Sequence, residues 1–168
     1  MKADLFWIPG PWPGRLAIAA RPRGGDWLDE EAATWRRAGI DIVVSLLEND
    51  EAAQLDLEDE HRAVEKQTIT FVSLPIPDRG VPASTEAATA MIGGLAVQLD
   101  AGRAVAIHCR QGIGRSGLIA AGLLVNAGIK PDEAIAMVSS ARGVSVPETP
   151  EQRRWIEQVP SRVPERVR

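Results

Sequence analysis

Short apolar runs alternate along the chain with longer stretches in which apolar residues recur at helical spacing. The run at residues 40–47, Ile-Asp-Ile-Val-Val-Ser-Leu-Leu, is almost continuously apolar, which is typical of a central strand covered on both faces. We predict further strands at residues 69–74 and 104–107, and a short edge strand at residues 15–20. The pattern therefore predicts a sheet whose inner strands are buried beneath other elements.

Helical patterns with recognisable start and stop residues occupy the stretches between these strands. Ser84 and Thr149 are candidate N-caps, because a hydroxyl there can accept a hydrogen bond from a first-turn amide. Gly39 and Gly128 are candidate stops. The predicted helices cover residues 26–38, 49–66, 84–99, 115–127, 131–141 and 149–159. Strands that alternate with helices predict a single α/β domain, with a central, mainly parallel sheet flanked by helices on both faces.

The two ends of the chain differ in character from its middle. Residues 1–14 carry three closely spaced prolines, so we predict an extended N-terminal arm that lies on the domain. Residues 15–158 are predicted to form the folded domain. Residues 159–168 are basic and contain two prolines, and we predict a frayed tail there.

Composition narrows the class of protein. With 168 residues, 45% hydrophobic and 25% charged, the chain has the make-up of one globular domain. Its net charge of −4 argues against nucleic acid or an anionic membrane as the main partner, and no apolar stretch is long enough to span a bilayer. One cysteine excludes an intrachain disulfide and favours a reducing compartment. We therefore expect a cytoplasmic protein without stable membrane association, and we make no prediction of its oligomeric state.

The segment His-Cys-Arg-Gln-Gly-Ile-Gly-Arg-Ser-Gly at residues 108–117 contains the residues that most clearly indicate a chemical function. It follows a predicted strand and leads into a predicted helix, and such a strand, loop and helix start together form a cradle of amides that suits an anion. Cys109 lies at the floor of this cradle, where its thiol would attack a bound phosphate. A buried structural cysteine is the simpler alternative, but the flanking pattern argues against it.

This segment resembles the His-Cys-x5-Arg-Ser/Thr loop of the cysteine-dependent protein tyrosine phosphatases, and residues 15–155 fit that resemblance. The resemblance implies a phosphatase-like fold in which residues 15–158 are the catalytic domain, with no metal and no cofactor. It implies that Cys109 is the nucleophile and that Arg115 binds two phosphoryl oxygens. The loop residues expected around the phosphate are Arg110, Gln111, Gly112, Ile113, Gly114 and Arg115.

Two neighbours of the cysteine have supporting roles in this family. The resemblance implies that Ser116 donates a hydrogen bond to the thiolate and helps it to leave in the second step; a first-turn helix serine is the alternative. It also implies that His108 organises the loop. A buried core histidine at a strand end, with its hydrogen bonds satisfied, is a nearly equal alternative. Loop amides, the helix start and the charge of Arg115 are expected to stabilise the thiolate of Cys109.

A phosphate ester also needs a proton donor for its leaving oxygen. Asp78 follows the predicted strand 69–74 in a proline-rich loop that Gly80 can hinge, and it should lie at the same sheet edge as Cys109. In the family the general acid lies on such a loop about thirty residues before the cysteine, which Asp78 fits. The alternative is an aspartate that only stabilises a turn. The competing carboxylates are Glu48, Asp50 and Glu51.

Gln152 has two readings that the sequence leaves open. Thr149-x-x-Gln152 is a capping box, whereas the family carries a late glutamine that orients the hydrolytic water. Several arginines could read charge beside the phosphate, although a solvated surface arginine is the more common situation. They are Arg21, Arg23, Arg79, Arg110 and Arg142.

The chain contains no tyrosine and is shorter than the classical tyrosine-specific domains, so it resembles the compact, atypical dual-specificity branch. This resemblance implies a phosphorylated protein or a small phosphomonoester as substrate. Ile113 stands where phosphoinositide phosphatases usually carry lysine, which makes a lipid substrate a weaker alternative. A catalytically inactive phosphate-binding module and a rhodanese-like sulfurtransferase are the remaining alternatives.

Overall fold

The structure is a computed structural model that describes residues 3–163. Five strands in this part of the chain form one sheet: β1 (Leu5–Ile8), β2 (Arg15–Ala19), β3 (Ile42–Ser45), β4 (Thr70–Ser73) and β5 (Ala104–His108). Their spatial order is β1-β2-β5-β3-β4. Strands β2, β5, β3 and β4 are parallel, and β1 pairs antiparallel with β2.

The register of the inner strands brings three connecting segments to one edge of the sheet. Ser45 at the end of β3 is opposite His108 at the end of β5 on one side and opposite Ser73 at the end of β4 on the other. The segments that leave these strands therefore begin side by side. This arrangement is the one that the parallel-sheet prediction required for residues 46–51, 74–82 and 109–114.

Seven α-helices lie within the described residues: α1 (Leu28–Arg37), α2 (Asn49–Gln54), α3 (Glu60–Lys66), α4 (Thr85–Asp100), α5 (Gly114–Asn126), α6 (Pro131–Arg142) and α7 (Pro150–Glu157). None of these helices has the length and apolar character needed to cross a membrane.

Side chains that alternate along the strands enter two separate apolar clusters. On one face, residues such as Val105 and Ile107 of β5 pack with the cluster that includes Leu118 of α5. On the other face, Ala104 and Ala106 belong to a second cluster, which includes side chains of α1 and α3. Helices thus cover both faces of the sheet, and the α/β prediction is confirmed.

The predicted caps are present at the helix starts. The Ser84 hydroxyl accepts a hydrogen bond from the Ala87 amide at 3.1 Å, and the Thr149 hydroxyl accepts one from the Gln152 amide at 3.1 Å. Gly39 follows α1 with a φ of +89°, a conformation that glycine adopts without steric cost. Local sequence signals therefore determine where these helices begin and end.

Two helix predictions were wrong in detail. The helix predicted over residues 49–66 is divided into α2 and α3, because Asp56 adopts a φ of +56° and the chain turns Leu57 into the core. The helix predicted from residue 26 begins only at Leu28, since residues 25–27 form a separate 3₁₀ turn ahead of it. At residues 55–57, the burial of Leu57 overrides the continuous polar pattern.

The N-terminal segment differs from the predicted arm, because part of it is a strand of the sheet. Residues 5–8 precede the prolines and pair with residues 16–19 of β2, so β2 is not the edge strand that we predicted. Ile8 and Trp12 are buried in the main core cluster. The prolines begin only at Pro9, where the strand has already ended.

The C-terminal segment was predicted to fray, but its first residues are attached to the domain. The Asn126 side chain donates to the Pro160 carbonyl at 3.2 Å, and the Arg162 amide donates to the Asn126 carbonyl at 2.9 Å. Arg162 also pairs with Asp100 at the end of α4. The prediction is therefore wrong for residues 159–163, and its remainder, residues 164–168, lies outside the described residues.

Candidate active site

The loop of residues 109–113 joins β5 to α5 and surrounds a small cleft. Gly112 has a φ of +68°, which favours glycine, and it turns the loop so that α5 can begin at Gly114. Cys109 is only 3% exposed and forms part of the cleft wall. The cysteine thus lies where the sequence predicted it, beside the N-terminus of a 13-residue helix.

The cleft measures about 160 Å³, and it brings together residues from three separate segments. Its lining residues are Asp78, Arg79, Cys109, Arg110, Gln111, Gly114, Arg115 and Glu148. Six of the predicted site residues therefore line this cleft, whereas His108, Gly112, Ile113, Ser116 and Gln152 are not among its lining residues. Within residues 3–163 no group of three or more His, Cys, Asp or Glu side chains is arranged to hold a metal ion.

Arg115 is held by a carboxylate that the sequence analysis placed among the rival acids. Its Nη1 and Nη2 donate to the two carboxylate oxygens of Glu51 at 2.6 and 2.9 Å, and Nη1 also donates to the Ile76 carbonyl at 2.9 Å. The hydrogen bond from Arg115 is the main reason that the pKa of Glu51 lies below its usual value. Glu51 is therefore the ionised partner of the arginine.

The pKa of Arg115 itself lies above its usual value. Burial alone would lower this pKa, but the hydrogen bond to Glu51 and the negative charges of Cys109, Glu51 and Asp78 outweigh burial and raise it. The guanidinium is consequently a permanent positive charge in the wall of the cleft. Its orientation is determined by contacts with segments that follow β3 and β4.

Asp78 lies opposite the cysteine loop, on the segment that follows β4. Its side chain is 66% exposed, and its Oδ1 is 3.5 Å from Arg115 Nη2. The turn around it is closed by a hydrogen bond from the Gly80 amide to the Pro77 carbonyl at 2.8 Å. The other rival carboxylates, Glu48 and Asp50, do not line the cleft.

Gln152 connects the Asp78 loop to the segment before α7. It is fully buried; its Nε2 donates to the Gly80 carbonyl at 3.0 Å, and its Oε1 accepts from the Glu148 amide at 3.0 Å. Both ends of the side-chain amide are thus engaged by backbone groups. Thr149 caps the helix at the Gln152 backbone amide, but the Gln152 side chain binds the amide of Glu148 and not that of Thr149, so only half of the predicted capping box is present.

Glu148 is a cleft residue that the sequence analysis missed. Its carboxylate rests on Gly114, where a Cβ atom would lie only 2.0 Å from Glu148 Oε1, and its Oε2 is 3.6 Å from Arg79 Nη1. The only sequence signal for it was its place in the proline-flanked segment just before the final helix. Glu51 had a stronger signal, because it follows the end of the central strand β3.

His108 faces away from the cleft, on the same side of β5 as Ala104 and Ala106. Its Nε2 is 2.6 Å from Glu60 Oε2, both side chains are buried, and its ring stacks on Trp35 at 6.0 Å between centroids. Its Nδ1 has no hydrogen-bond partner among the described residues. This environment fits a histidine that supports the start of the loop from behind.

Arginines outside the cleft bind the carbonyl groups of the loop. Arg21 Nη1 donates to the Arg110 carbonyl at 2.8 Å. Arg142 Nε donates to the Gly112 carbonyl at 2.7 Å, and its Nη2 donates to the Gln111 carbonyl at 3.2 Å. From the sequence, Arg21 and Arg142 were expected to be solvated or to bind charge beside the phosphate, and their contacts with the loop backbone were not predicted.

Comparison with known proteins gives a consistent result. Residues 6–158 match the model of the family PTP-SAK, described as Swiss Army Knife protein, DSP-PTPase phosphatase domain. Among solved structures, the fold is similar to that of kinase-associated phosphatase carrying serine in place of its catalytic cysteine, with a TM-score of 0.84, 20% identity and 94% of each chain covered. None of the curated proteins compared with the chain matches it significantly.

Two further solved structures are similar along nearly their whole length. Tk-PTP in its active form has a TM-score of 0.71 and 30% identity, with 89% of this chain and 94% of that chain covered. PTPMT1 has a TM-score of 0.72 and 20% identity, with 91% of this chain and 92% of that chain covered. These similarities confirm the phosphatase fold and the resemblance to compact phosphatases of the cysteine-dependent superfamily.

Proposed function

The chain belongs to the PTP-SAK family of DSP-PTPase phosphatase domains, and we propose that it hydrolyses phosphomonoesters without a metal, through a phosphocysteine intermediate. The observation that carries this proposal is the meeting of Cys109, Arg115 and Asp78 around one cleft of about 160 Å³. A nucleophile, a bidentate cation and a carboxylic acid are the three groups that metal-free phosphoryl transfer requires.

In the first step, the thiolate of Cys109 attacks phosphorus in line with the ester oxygen. The Sγ–P bond forms as the P–O ester bond breaks, and Asp78 gives its proton to the leaving oxygen. The loop amides and the N-terminus of α5 stabilise the thiolate before the attack and the phosphoryl oxygens during it. The exposed position of Asp78 at the mouth of the cleft supports its role as the donor to a leaving group that points outwards.

Arg115 is proposed to clamp two phosphoryl oxygens. The two hydrogen bonds to Glu51 fix the plane of the guanidinium, which lowers the entropy lost when the arginine engages a phosphate. The 3.5 Å separation of Asp78 Oδ1 from Arg115 Nη2 supports the view that this side of the arginine can bind an anionic oxygen. A phosphoryl oxygen would take this place in the complex.

In the second step, water attacks phosphorus and the Sγ–P bond breaks. Asp78 takes the proton from the water, and the thiolate of Cys109 is regenerated. The hydroxyl of Ser116 is fully buried and has no hydrogen-bond partner among the described residues, which supports a role in stabilising the departing thiolate. We assign Gln152 to holding the Asp78 loop in place, since both ends of its side chain are bound to backbone.

We further propose that the substrate is a phosphorylated protein, with the dual-specificity preference for phosphotyrosine, phosphoserine and phosphothreonine. The only cysteine of the chain must stay reduced to react, so the enzyme should act in a reducing compartment such as the cytoplasm. An inactive phosphate-binding module is the main alternative. That alternative does not explain why a nucleophile and an acid lie at the same cleft.

The test is hydrolysis of a small aryl phosphate in the presence of EDTA. Wild type is compared with Cys109→Ser and Asp78→Asn, and with Glu148→Gln because Glu148 is the other carboxylate over the cysteine loop. We expect no turnover with serine and a drop of about 10²–10⁴-fold in kcat with Asp78→Asn. A larger loss with Glu148→Gln than with Asp78→Asn would transfer the acid role to Glu148.

Two other outcomes would overturn the proposal. A wild-type protein that binds vanadate without hydrolysing any phosphate ester would be a binding module. Sulfur transfer from thiosulfate without phosphatase activity would identify a rhodanese-like sulfurtransferase.

A further inference from the structure

A second groove lies directly beside the cysteine cleft. It has a volume of about 420 Å³, and it lies between the segment after β2 and the loop after β5. Its lining residues are Ala20, Arg21, Pro22, Arg23, Gly24, Leu55, Arg110 and Gln111. Arg110 and Gln111 also line the cleft, so the two depressions share a wall.

This groove carries more positive than negative charge. Of its three arginines, Arg23 is paired with Glu31 at 2.7 Å, while Arg110 is 3.9 Å from a carboxylate oxygen of Glu51. Within residues 3–163 no carboxylate is paired with Arg21. The surface between the cleft and the β2 segment is therefore electropositive.

Arg21 has N–H donors that can bind a ligand. A guanidinium carries five N–H groups, and Arg21 uses one of them on the Arg110 carbonyl at 2.8 Å. This bond fixes the side chain against the loop and leaves its other donors for an anion in the groove. Arg110, which is partly exposed, adds a second cation on the shared wall.

We propose that this groove is a second anion-binding subsite, in which Arg21 and Arg110 receive a phosphate or carboxylate side chain of the same peptide whose phosphorylated residue enters the cleft. The subsite rests on the proposed phosphatase function and narrows its substrate class. The preferred substrate is a phosphopeptide with a second anionic residue close to the phosphorylated one.

Because the two depressions share Arg110 and Gln111 as a wall, the second anionic residue must lie close to the phosphorylated one. The Arg110 carbonyl that binds Arg21 belongs to the residue directly after Cys109. In an extended peptide, side chains two positions apart point to the same side and lie about 7 Å from each other. We therefore expect the second anionic side chain two positions away from the phosphorylated residue.

The size and chemistry of the groove favour a peptide over a small bisphosphate. The groove is larger than the phosphate cleft, and it continues past the arginines along the apolar groups of Pro22 and Leu55. Beside it, Trp27 is half exposed and stacks on Arg23 at 4.0 Å. A peptide backbone and its side chains can use these surfaces, whereas a second phosphate alone would use only the cations.

The experiment compares kcat/KM for a set of phosphopeptides that differ at one position. Peptides carry Ala, Glu or phosphoserine two residues before or after the phosphorylated residue, and a small aryl phosphate and a small alkyl bisphosphate are assayed in parallel. We expect kcat/KM to rise about two- to fivefold from Ala to Glu, and further for phosphoserine, in one of the two positions. The preference should weaken as salt concentration rises.

Arginine variants locate the effect. Arg21→Gln should reduce the preference ratio to near one, and Arg21→Lys should retain part of it. Arg142→Gln is the matched control, because Arg142 also binds loop carbonyls but does not line the groove. This variant should leave the ratio between peptides unchanged, even if it lowers the activity on every substrate. A ratio that depends on Arg142 and not on Arg21 would overturn the assignment.

Each failure is distinguishable from the others. Absence of aryl phosphate hydrolysis would overturn the proposed function itself. Aryl phosphate hydrolysis with equal kcat/KM for all peptides would overturn the subsite alone, and a stronger preference for the small bisphosphate than for any peptide would overturn the peptide ligand. Binding of the same peptides to Cys109→Ser, measured by calorimetry, should show the same order without turnover.

Discussion

Replacing Glu51 with glutamine tests how Arg115 is held in the cleft. The Glu51 carboxylate accepts two hydrogen bonds from Arg115, at 2.6 and 2.9 Å, and both side chains are buried. Glutamine keeps the volume but loses the charge and one acceptor. Removing one partner of a buried ion pair costs about 3–5 kcal/mol, and we expect the lower end because Glu51 retains some contact with solvent.

For a domain of this size, a loss of about 3 kcal/mol lowers the midpoint of thermal unfolding by about 6–12 °C. The effect depends on pH with a definite sign. Arg115 holds the pKa of Glu51 below its usual 4.5, so this stabilisation is fully present above pH 4.5 and is lost as pH falls through the lowered pKa. The stability difference between wild type and Glu51→Gln should therefore be largest near neutrality and shrink in acid.

Activity distinguishes the positioning role of Glu51 from that of a proton donor. A misplaced Arg115 should lower kcat/KM by on the order of 10²-fold, and equally for a good aryl and a poor alkyl leaving group, because we propose that the arginine contacts the phosphoryl group and not the leaving group. Loss of a general acid would be greater for the poor leaving group. Asp50→Asn, on the same helical turn, is the matched control. A Glu51→Gln protein with wild-type stability and activity would refute the reasoning.

Other substitutions have equally definite expected outcomes. Gln152→Ala should release the Asp78 loop and lower kcat about tenfold for alkyl phosphates, but less for aryl phosphates with good leaving groups; equal losses would contradict this. Glu60→Gln should destabilise the protein by about 1–3 kcal/mol in urea unfolding, because its histidine partner is buried. Gly14→Ala should lower the free energy of unfolding by at least about 1–3 kcal/mol, since a Cβ there would lie 2.2 Å from a backbone oxygen. Gly93→Ala, with open space around it in α4, should raise the free energy of unfolding by about 0.5–1 kcal/mol.

The sequence predicted those features that depend on neighbouring residues. Caps at Ser84 and Thr149 are local devices, and the buried strand over residues 42–45 is visible as a continuous apolar run. The positions of Cys109 and Asp78 followed from one further rule, that parallel strands end at one edge of a sheet. Each of these inferences needed either a short segment or a general property of the fold.

Features that depend on distant pairs were not accessible in this way. Glu51 and Arg115 are 64 residues apart in the chain, and the hydrogen bond between Arg21 and Arg110 spans 89 residues. Nothing in the composition of residues 49–66 distinguishes Glu51 from the acidic residues beside it. Similarly, the antiparallel pairing of residues 5–8 with β2 was obscured by the prolines that follow.

The loop conformation depends on contacts from outside the cleft. The carbonyl groups of Arg110, Gln111 and Gly112 all accept hydrogen bonds from Arg21 or Arg142. In a trans peptide unit the carbonyl and the following N–H point in opposite directions. Because these three carbonyls are held outwards, the three amides that follow them are turned towards the cleft.

The same arginines also add positive charge that would attract a phosphate. Arg115 is paired with Glu51, so it adds little net charge to the cleft, although we propose that it orients the phosphoryl group. Among residues 3–163, the cations at the loop that exceed their carboxylate partners are Arg21, Arg110 and Arg142. Rim arginines should therefore govern substrate capture and its salt dependence, whereas the buried arginine governs the chemical step. A substrate with a second anionic group gains from the first contribution without any change in the second.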